Sequence, residues 1–190
     1  DGAIDSRWLA LGVVAMVLYV TRIVVDFPLD HYSGFTLEHQ YRLSNQSFRE
    51  WFVFQLKGWI LGAIIGGGVL FGLYALLWHG GRYWSVWVWV GLMFVAIGLA
   101  KIFPLLILPL FYPSKPLDRP SLIDRLRSMA EQAGMTITGV YDLALSKETK
   151  KANAMLAGMA SSRRVYLSDT LLDAFNEDQI SVVFAHELGH

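Results

Sequence analysis

A mainly α fold, a polytopic helical membrane protein carrying a small α+β subdomain, is what the 190 residues predict, and three observations predict it. Hydrophobic residues make up 54% of the chain and are gathered into long blocks instead of being spread at amphipathic spacing. Past Tyr112 the composition turns soluble, with short apolar runs divided by Pro, Gly and polar residues. The last five residues read His186-Glu187-Leu188-Gly189-His190, and helical apolar spacing at Ile180, Val183 and Phe184 precedes them.

The first apolar block, Trp8 to Val25, carries Arg22 near its end, where a long side chain can reach the headgroups, so a span over about 8–25 is expected. It is not read as a signal peptide. No initiator methionine or basic leading segment precedes it, Asp1 and Asp5 stand there instead, and Asp26-Phe27-Pro28 follows in place of small residues. The opening Asp1-Gly2 suggests that the chain begins mid-protein, which makes the span count a minimum. Residues 26–57 are read as a loop. The second block, Gly58 to Trp78, contains no formal charge and predicts a span over 58–78. The third runs from Tyr83 to about Leu110 and contains Lys101, after which Phe103-Pro104 and Leu108-Pro109 interrupt helical hydrogen bonding. A span over about 84–102 followed by an interfacial segment is expected there, with Lys101 snorkelling. Trp78, Trp84, Trp87 and Trp89 read as an interfacial aromatic belt around the hairpin.

Residues 1–111 thus form the expected transmembrane region and 112–190 a separate subdomain. In the latter, Ser121 to Ala133 has helical spacing at Leu122, Ile123, Leu126 and Met129. Ile137 to Leu145, Asn153 to Leu156 and Arg163 to Leu167 read as strands, with Ser146 to Lys151 as a polar loop. Asn176-Glu177-Asp178-Gln179 then offers an N-cap and a capping partner for the last helix.

Charge sets the orientation. Arg22, Arg42, Arg49 and Lys57 flank the 26–57 loop and Lys101, Lys115 and Arg119 follow the third span, against Arg7 and Arg82 on the other side. Loop and subdomain are therefore expected in the cytoplasm. Sixteen basic and sixteen acidic residues cancel, so nothing points to nucleic acid, and with no cysteine any metal must use nitrogen and oxygen ligands.

On a helix, positions 186 and 190 lie about 40° apart around the axis, so both imidazoles reach one Zn²⁺ with Glu187 held beside them as general base. A catalytic zinc takes three protein ligands and a water, so a third ligand is expected beyond residue 190, and residues 1–190 alone are expected to be inert. Asn153 and Ala154 are the candidate substrate edge, where main-chain hydrogen bonds would hold an extended peptide; Asn153 reads equally as a turn residue closing the polar loop. A second metal site at His31, Glu38 and His39 is the weaker reading of those residues, against solvated or capping histidines.

The stretch Asn153-Ala154-Met155-Leu156-Ala157-Gly158, then Arg164 to Leu172, then His186 to His190, resembles the type 1 CAAX prenyl proteases, integral-membrane zincins. The segment from Phe27-Pro28-Leu29 through Tyr32, Phe35, Glu38 and Asn45-Gln46-Ser47-Phe48 is similar to that family's long loop, although Leu43-Ser44 stands where the family has a Gly-Phe pair. The resemblance implies a multi-span helical barrel around an intramembrane chamber and a cytosolic zincin-like subdomain. It also implies one Zn²⁺ per chain, held by His186, His190 and a glutamate from a later helix, and a peptide or protein substrate ending in a prenylated CAAX segment. The location implied is a bacterial inner membrane or the endoplasmic reticulum. A membrane quality-control zinc protease of the heat-shock type and a non-enzymatic membrane scaffold remain as alternatives.

Overall fold

The computed structural model describes residues 2–158 and 163–189. The chain divides into two compact units, one of residues 1–42 with 47–90 and one of residues 43–46 with 91–190.

In the first unit, α1 (Gly2–His31) continues through a π-helical turn, Tyr32–Leu37, into the short α2 (Glu38–Gln40), and α3 (Phe48–His79) follows. The sequence placed a loop over 26–57, yet residues 26–40 are helical and residues 48–57 form the first turns of α3. The physical reason is an aromatic ladder. Phe27, His31, Phe35 and His39 recur every four residues, and successive rings lie 6.3, 5.4 and 4.2 Å apart along one helix face. Trp51, 4% exposed, closes against three of them, at 5.9 Å from Phe27, 5.4 Å from His31 and 5.9 Å from Phe35. At the start of α3, Ser47 and Glu50 form a reciprocal capping box. Farther along, the Tyr19 hydroxyl donates to the Trp59 carbonyl at 2.7 Å, and a Cβ at Gly62 would sit 2.8 Å from that hydroxyl. Glycine at 62 is what lets the two helices close to that bond.

A turn at Gly80 and Gly81–Tyr83 joins α3 to α4 (Trp84–Ile102), which begins in the first unit and ends in the second. Among the described residues, three helical stretches, Ser6–Gln40, Phe48–His79 and Gly81–Phe111, are long and apolar enough to cross a membrane. The third does not stop at residue 102. A π-helical turn, Phe103–Ile107, and α5 (Leu108–Phe111) carry it on past both prolines. There the Leu108 amide bonds the Phe103 carbonyl. Residue 109 is a proline without an N–H, so the Pro104 carbonyl has no amide to accept from. The Tyr166 hydroxyl donates to it instead.

The second unit is built on a four-stranded sheet in the order β1-β2-β4-β3, with β1 at Ser114–Pro116, β2 at Gly139–Leu143, β3 at Ala154–Ala157 and β4 at Arg164–Ser168. β1 lies antiparallel to β2, β2 parallel to β4, and β3 antiparallel to β4. β1 falls in the short stretch after Pro113, ahead of the first helix that the sequence predicts in this region. Side-chain alternation separates two cores. Val140, Ala154, Val165 and Leu167 face Leu122, Leu126 and Ala130 of α6 (Pro120–Gln132), Leu171 of α7 (Asp169–Ala174), and Ile180 and Phe184 of α8 (Glu177–Leu188). Leu143, Ala157 and Tyr166 face the opposite way onto Leu108. β4 is buried on both faces, which accounts for its unbroken Val165-Tyr166-Leu167 run.

Candidate active site

α8 starts where the sequence said it would. The Asn176 side chain accepts from the Gln179 amide at 3.0 Å, and the Gln179 side chain accepts from the Asn176 amide at 3.1 Å, closing a capping box. Its buried face, Ile180, Ser181 and Phe184, packs onto the sheet beside β3. Two polar links to α6 fix its first turn: Arg125 to Asp178 at 2.5 Å and the Ser121 hydroxyl to Glu177 at 2.9 Å. Both are largely exposed, so each contributes at most about 1 kcal/mol, and the apolar face does most of the docking.

Facing away from that core, His186 is exposed, while Glu187, one position on, is half-buried. His190 lies outside the described residues. The donors that are described suit a borderline metal ion, an imidazole followed by a carboxylate on a capped helix, and no thiolate occurs in the chain. Among the described residues no three histidine, aspartate or glutamate side chains converge. That includes His31, Glu38 and His39, which do not form a second site: His31 is ringed by Phe27, Phe35, Phe48 and Trp51, and His39 Nδ1 lies 2.7 Å from the Phe35 carbonyl.

Among the described residues, β3 is one edge strand of the sheet and β1 the other. The Ser168 amide donates to the Asn153 carbonyl at 2.9 Å, so residue 153 turns its main-chain groups toward β4. By antiparallel alternation, the N–H and C=O groups of Ala154 and Leu156 point outward from that edge. Asn153 itself is exposed, where the chain leaves the polar loop for the strand.

That loop is held from several sides. Asp169, the first residue of α7, accepts from the Leu145 and Ser146 amides at 3.0 and 2.9 Å and from the Ser146 hydroxyl at 2.5 Å. Burial alone would raise the Asp169 pKa, but these bonds, with one from the Thr170 amide, outweigh it and hold the carboxyl below its ordinary value. Asn45 Nδ2 donates to the Ser146 carbonyl at 2.8 Å, the Lys150 amide donates to the Leu43 carbonyl at 2.9 Å, and Ser44 bridges Thr149. Tyr112 sits against Glu148; burial first, then the carboxylate's charge and hydrogen bond, push its hydroxyl up to about 12. Ser168 and Thr170 also reach the start of β3, and nothing in their sequence spacing announced it.

Comparison with known proteins places these features in a group. A family profile described as CAAX prenyl protease N-terminal, five membrane helices, matches residues 4–113, and one described as peptidase family M48 matches residues 116–190. CAAX prenyl protease 1 of Saccharomyces cerevisiae is 30% identical over 171 residues, 88% of this chain and 37% of that protein. The uncharacterized metalloprotease YhfN of Bacillus subtilis is 27% identical over 191 residues, covering 100% of this chain and 44% of that one. The crystal structure of S. mikatae Ste24p superposes with a TM-score of 0.83 at 30% identity, over 92% of this chain and 42% of that chain. The chain spans less than half the length of the relatives it matches.

Proposed function

We propose, from the premise that this chain belongs to peptidase family M48 in its CAAX prenyl protease branch, that it forms part of a multi-pass membrane zinc endopeptidase. Its proposed substrates are peptides or proteins, those ending in a prenylated CAAX segment first among them. The observation that carries the reading is the packing of α8, with His186 and Glu187 in its last turns, beside the open edge strand β3. A peptide laid along that edge would run past the histidine helix.

In this reading His186, His190 and a glutamate outside residues 1–190 hold the metal. Zinc, when bound, supplies Lewis acidity toward the scissile carbonyl and makes water a nucleophile at neutral pH. Glu187 accepts the proton of the attacking water on its carboxylate and returns it to the leaving amine nitrogen. The substrate backbone pairs with the outward N–H and C=O groups of Ala154 and Leu156, so specificity for side chains comes from elsewhere and β3 supplies alignment. Asn153 fixes where that paired segment starts. The lysine and arginine distribution supports an active site on the cytoplasmic side.

The test is a pair of substitutions in the whole protein, purified in detergent, with zinc analysis beside cleavage of a farnesylated CAAX peptide. Glu187→Gln is expected to keep its zinc and lose cleavage by several orders of magnitude, whereas His186→Ala loses zinc. Retained turnover in Glu187→Gln would sink the assigned mechanism.

A further inference from the structure

The hydroxyls of Ser168 and Thr170 form a small, fully determined hydrogen-bond network at the start of the edge strand. Ser168, wholly buried, is the last residue of β4 and the N-cap of α7. Its Oγ accepts from the Leu171 amide at 3.1 Å, as a cap does, and also from the Asn153 amide at 2.8 Å. Thr170 Oγ1 lies 2.9 Å from Ser168 Oγ and 2.8 Å from the Lys151 carbonyl oxygen.

Counting protons fixes the direction of every bond. A serine hydroxyl has two lone pairs and one proton, and here two amide N–H groups occupy both lone pairs. The Ser168 proton must therefore be the one between the two hydroxyls, donated to Thr170 Oγ1. That leaves the Thr170 proton for the carbonyl of Lys151, which can only accept. Each donor has one acceptor, and none of the three oxygens is asked for a proton it lacks. The network grips residues 151 and 153, the main-chain positions leading into Ala154. At Asn153 the ordinary strand ladder is also modified: the Ser168 amide still reaches the Asn153 carbonyl at 2.9 Å, but the return bond from the Asn153 amide goes to the Ser168 side chain.

We propose that Ser168 and Thr170 are positioning residues for substrate, setting the register and alignment of the free edge of β3 by fastening residues 151 and 153 to the N-terminus of α7. The inference rests on the reading of β3 as the substrate edge. Neither hydroxyl lies on the metal helix α8, so their loss should weaken peptide alignment without touching metal binding or the proton transfer at Glu187.

The experiment uses Thr170→Val, Thr170→Ser and Ser168→Ala in the whole protein, with zinc content measured beside kcat and KM for a farnesylated CAAX peptide. Thr170→Val should raise KM roughly tenfold, equivalent to about 1.4 kcal/mol, at unchanged zinc content and with kcat within twofold. Thr170→Ser, which keeps the hydroxyl, should restore the KM. Ser168→Ala should exceed Thr170→Val in effect; if it does not fold, the threonine pair carries the test alone. An unchanged KM in Thr170→Val overturns the proposal, as does a fall in zinc content or a loss confined to kcat, since either would mark a general structural role. Peptides N-methylated singly at the amides flanking the scissile bond separate the two layers of the argument. Where methylation raises the wild-type KM but Thr170→Val does not, only the hydroxyl network is refuted. Where no methylation matters, the edge-strand reading fails and this proposal falls with it.

Discussion

The Ser146 hydroxyl donates to the Asp169 carboxylate at 2.5 Å across 23 positions of sequence, and the same loop residue's carbonyl accepts from Asn45 at 2.8 Å. One serine thus joins the N-terminus of α7 to the 43–46 segment. Asp169→Asn leaves one side-chain acceptor where the carboxylate serves four bonds, and is expected to cost roughly 1–2 kcal/mol at pH 7, the lower part of the range for charge-assisted bonds because Ser146 is exposed. The folded-state pKa lies below the ordinary 3.8, so the carboxylate's contribution is complete at neutral pH. It begins to fade near pH 5 and disappears as the medium becomes more acidic than the lowered pKa. Thermal unfolding of wild type and variant in detergent should therefore draw together as the pH falls below 3.8 toward the lowered pKa. A gap that stays constant from pH 7 to pH 3 would contradict this origin.

Gly80 closes the hairpin between α3 and α4 where no side chain fits. A Cβ there would lie 2.4 Å from the Leu76 carbonyl oxygen and 2.9 Å from the Trp84 Cβ. Both obstacles are backbone or backbone-proximal, so they cannot swing aside. Gly80→Ala should cost about 1–3 kcal/mol and lower the yield of folded protein. Gly91→Ala, with open space around it, is the matched control and should cost nothing measurable.

The cap of the histidine helix should be measurable at the metal. Asn176→Ala removes the acceptor for the Gln179 amide and should destabilise α8 by about 1 kcal/mol. Because His186 and Glu187 ride on that helix, zinc affinity in the whole protein is expected to fall modestly, within tenfold, while Asn176→Asp retains it. Equal affinity in wild type and Asn176→Ala, by competition with a chromophoric chelator, would show that the sheet alone fixes the helix.

How far the fold was legible depended on which signals were local. The three apolar blocks, the amphipathic stripe of α6 and the Asn176–Gln179 cap are short-range patterns, and each was readable from residues within a few turns of one another. The aromatic ladder at 27, 31, 35 and 39 was equally local but hidden, because histidine and a leading proline disguise a helix whose rings stack on one another and meet Trp51 tilted or edge-on. Ser47 and Glu50 spell a capping box ahead of the uncharged apolar run, and the polar and charged residues before that run, Arg49, Gln55 and Lys57, mask the helix as a loop. The continuation past Pro104 was not legible, since the hydroxyl that makes it possible stands 62 positions away. At the candidate site, the helix that carries His186 and Glu187 was plain from its cap and spacing. The grip of Ser168 and Thr170 on Asn153 was not, because it exists only once β3 and β4 are paired.

The charge distribution predicts a topology that single cysteines can test, since residues 1–190 contain none. Lys147→Cys, in the loop before β3, should resist a membrane-impermeant thiol reagent added outside intact cells, and Arg82→Cys, at the hairpin, should react. Position 82 is exposed and position 147 lies in a surface loop, so access depends on sidedness. External labelling of Lys147→Cys would reverse the assigned orientation.

The bond from Tyr166 to the Pro104 carbonyl ties the history of two distant positions, 109 and 166, to each other. Pro109 withholds the amide that would have served that carbonyl, and the buried phenol, 1% exposed, stands in for it. A descendant that loses the tyrosine first strands a polar atom inside the protein, a loss of roughly 1–3 kcal/mol. One that first exchanges Pro109 for an amide-bearing residue makes the tyrosine dispensable. The order of mutation therefore decides which lineages survive the change: Tyr166→Phe should be harmful while Pro109 is in place, yet nearly silent once Pro109→Ala has come first.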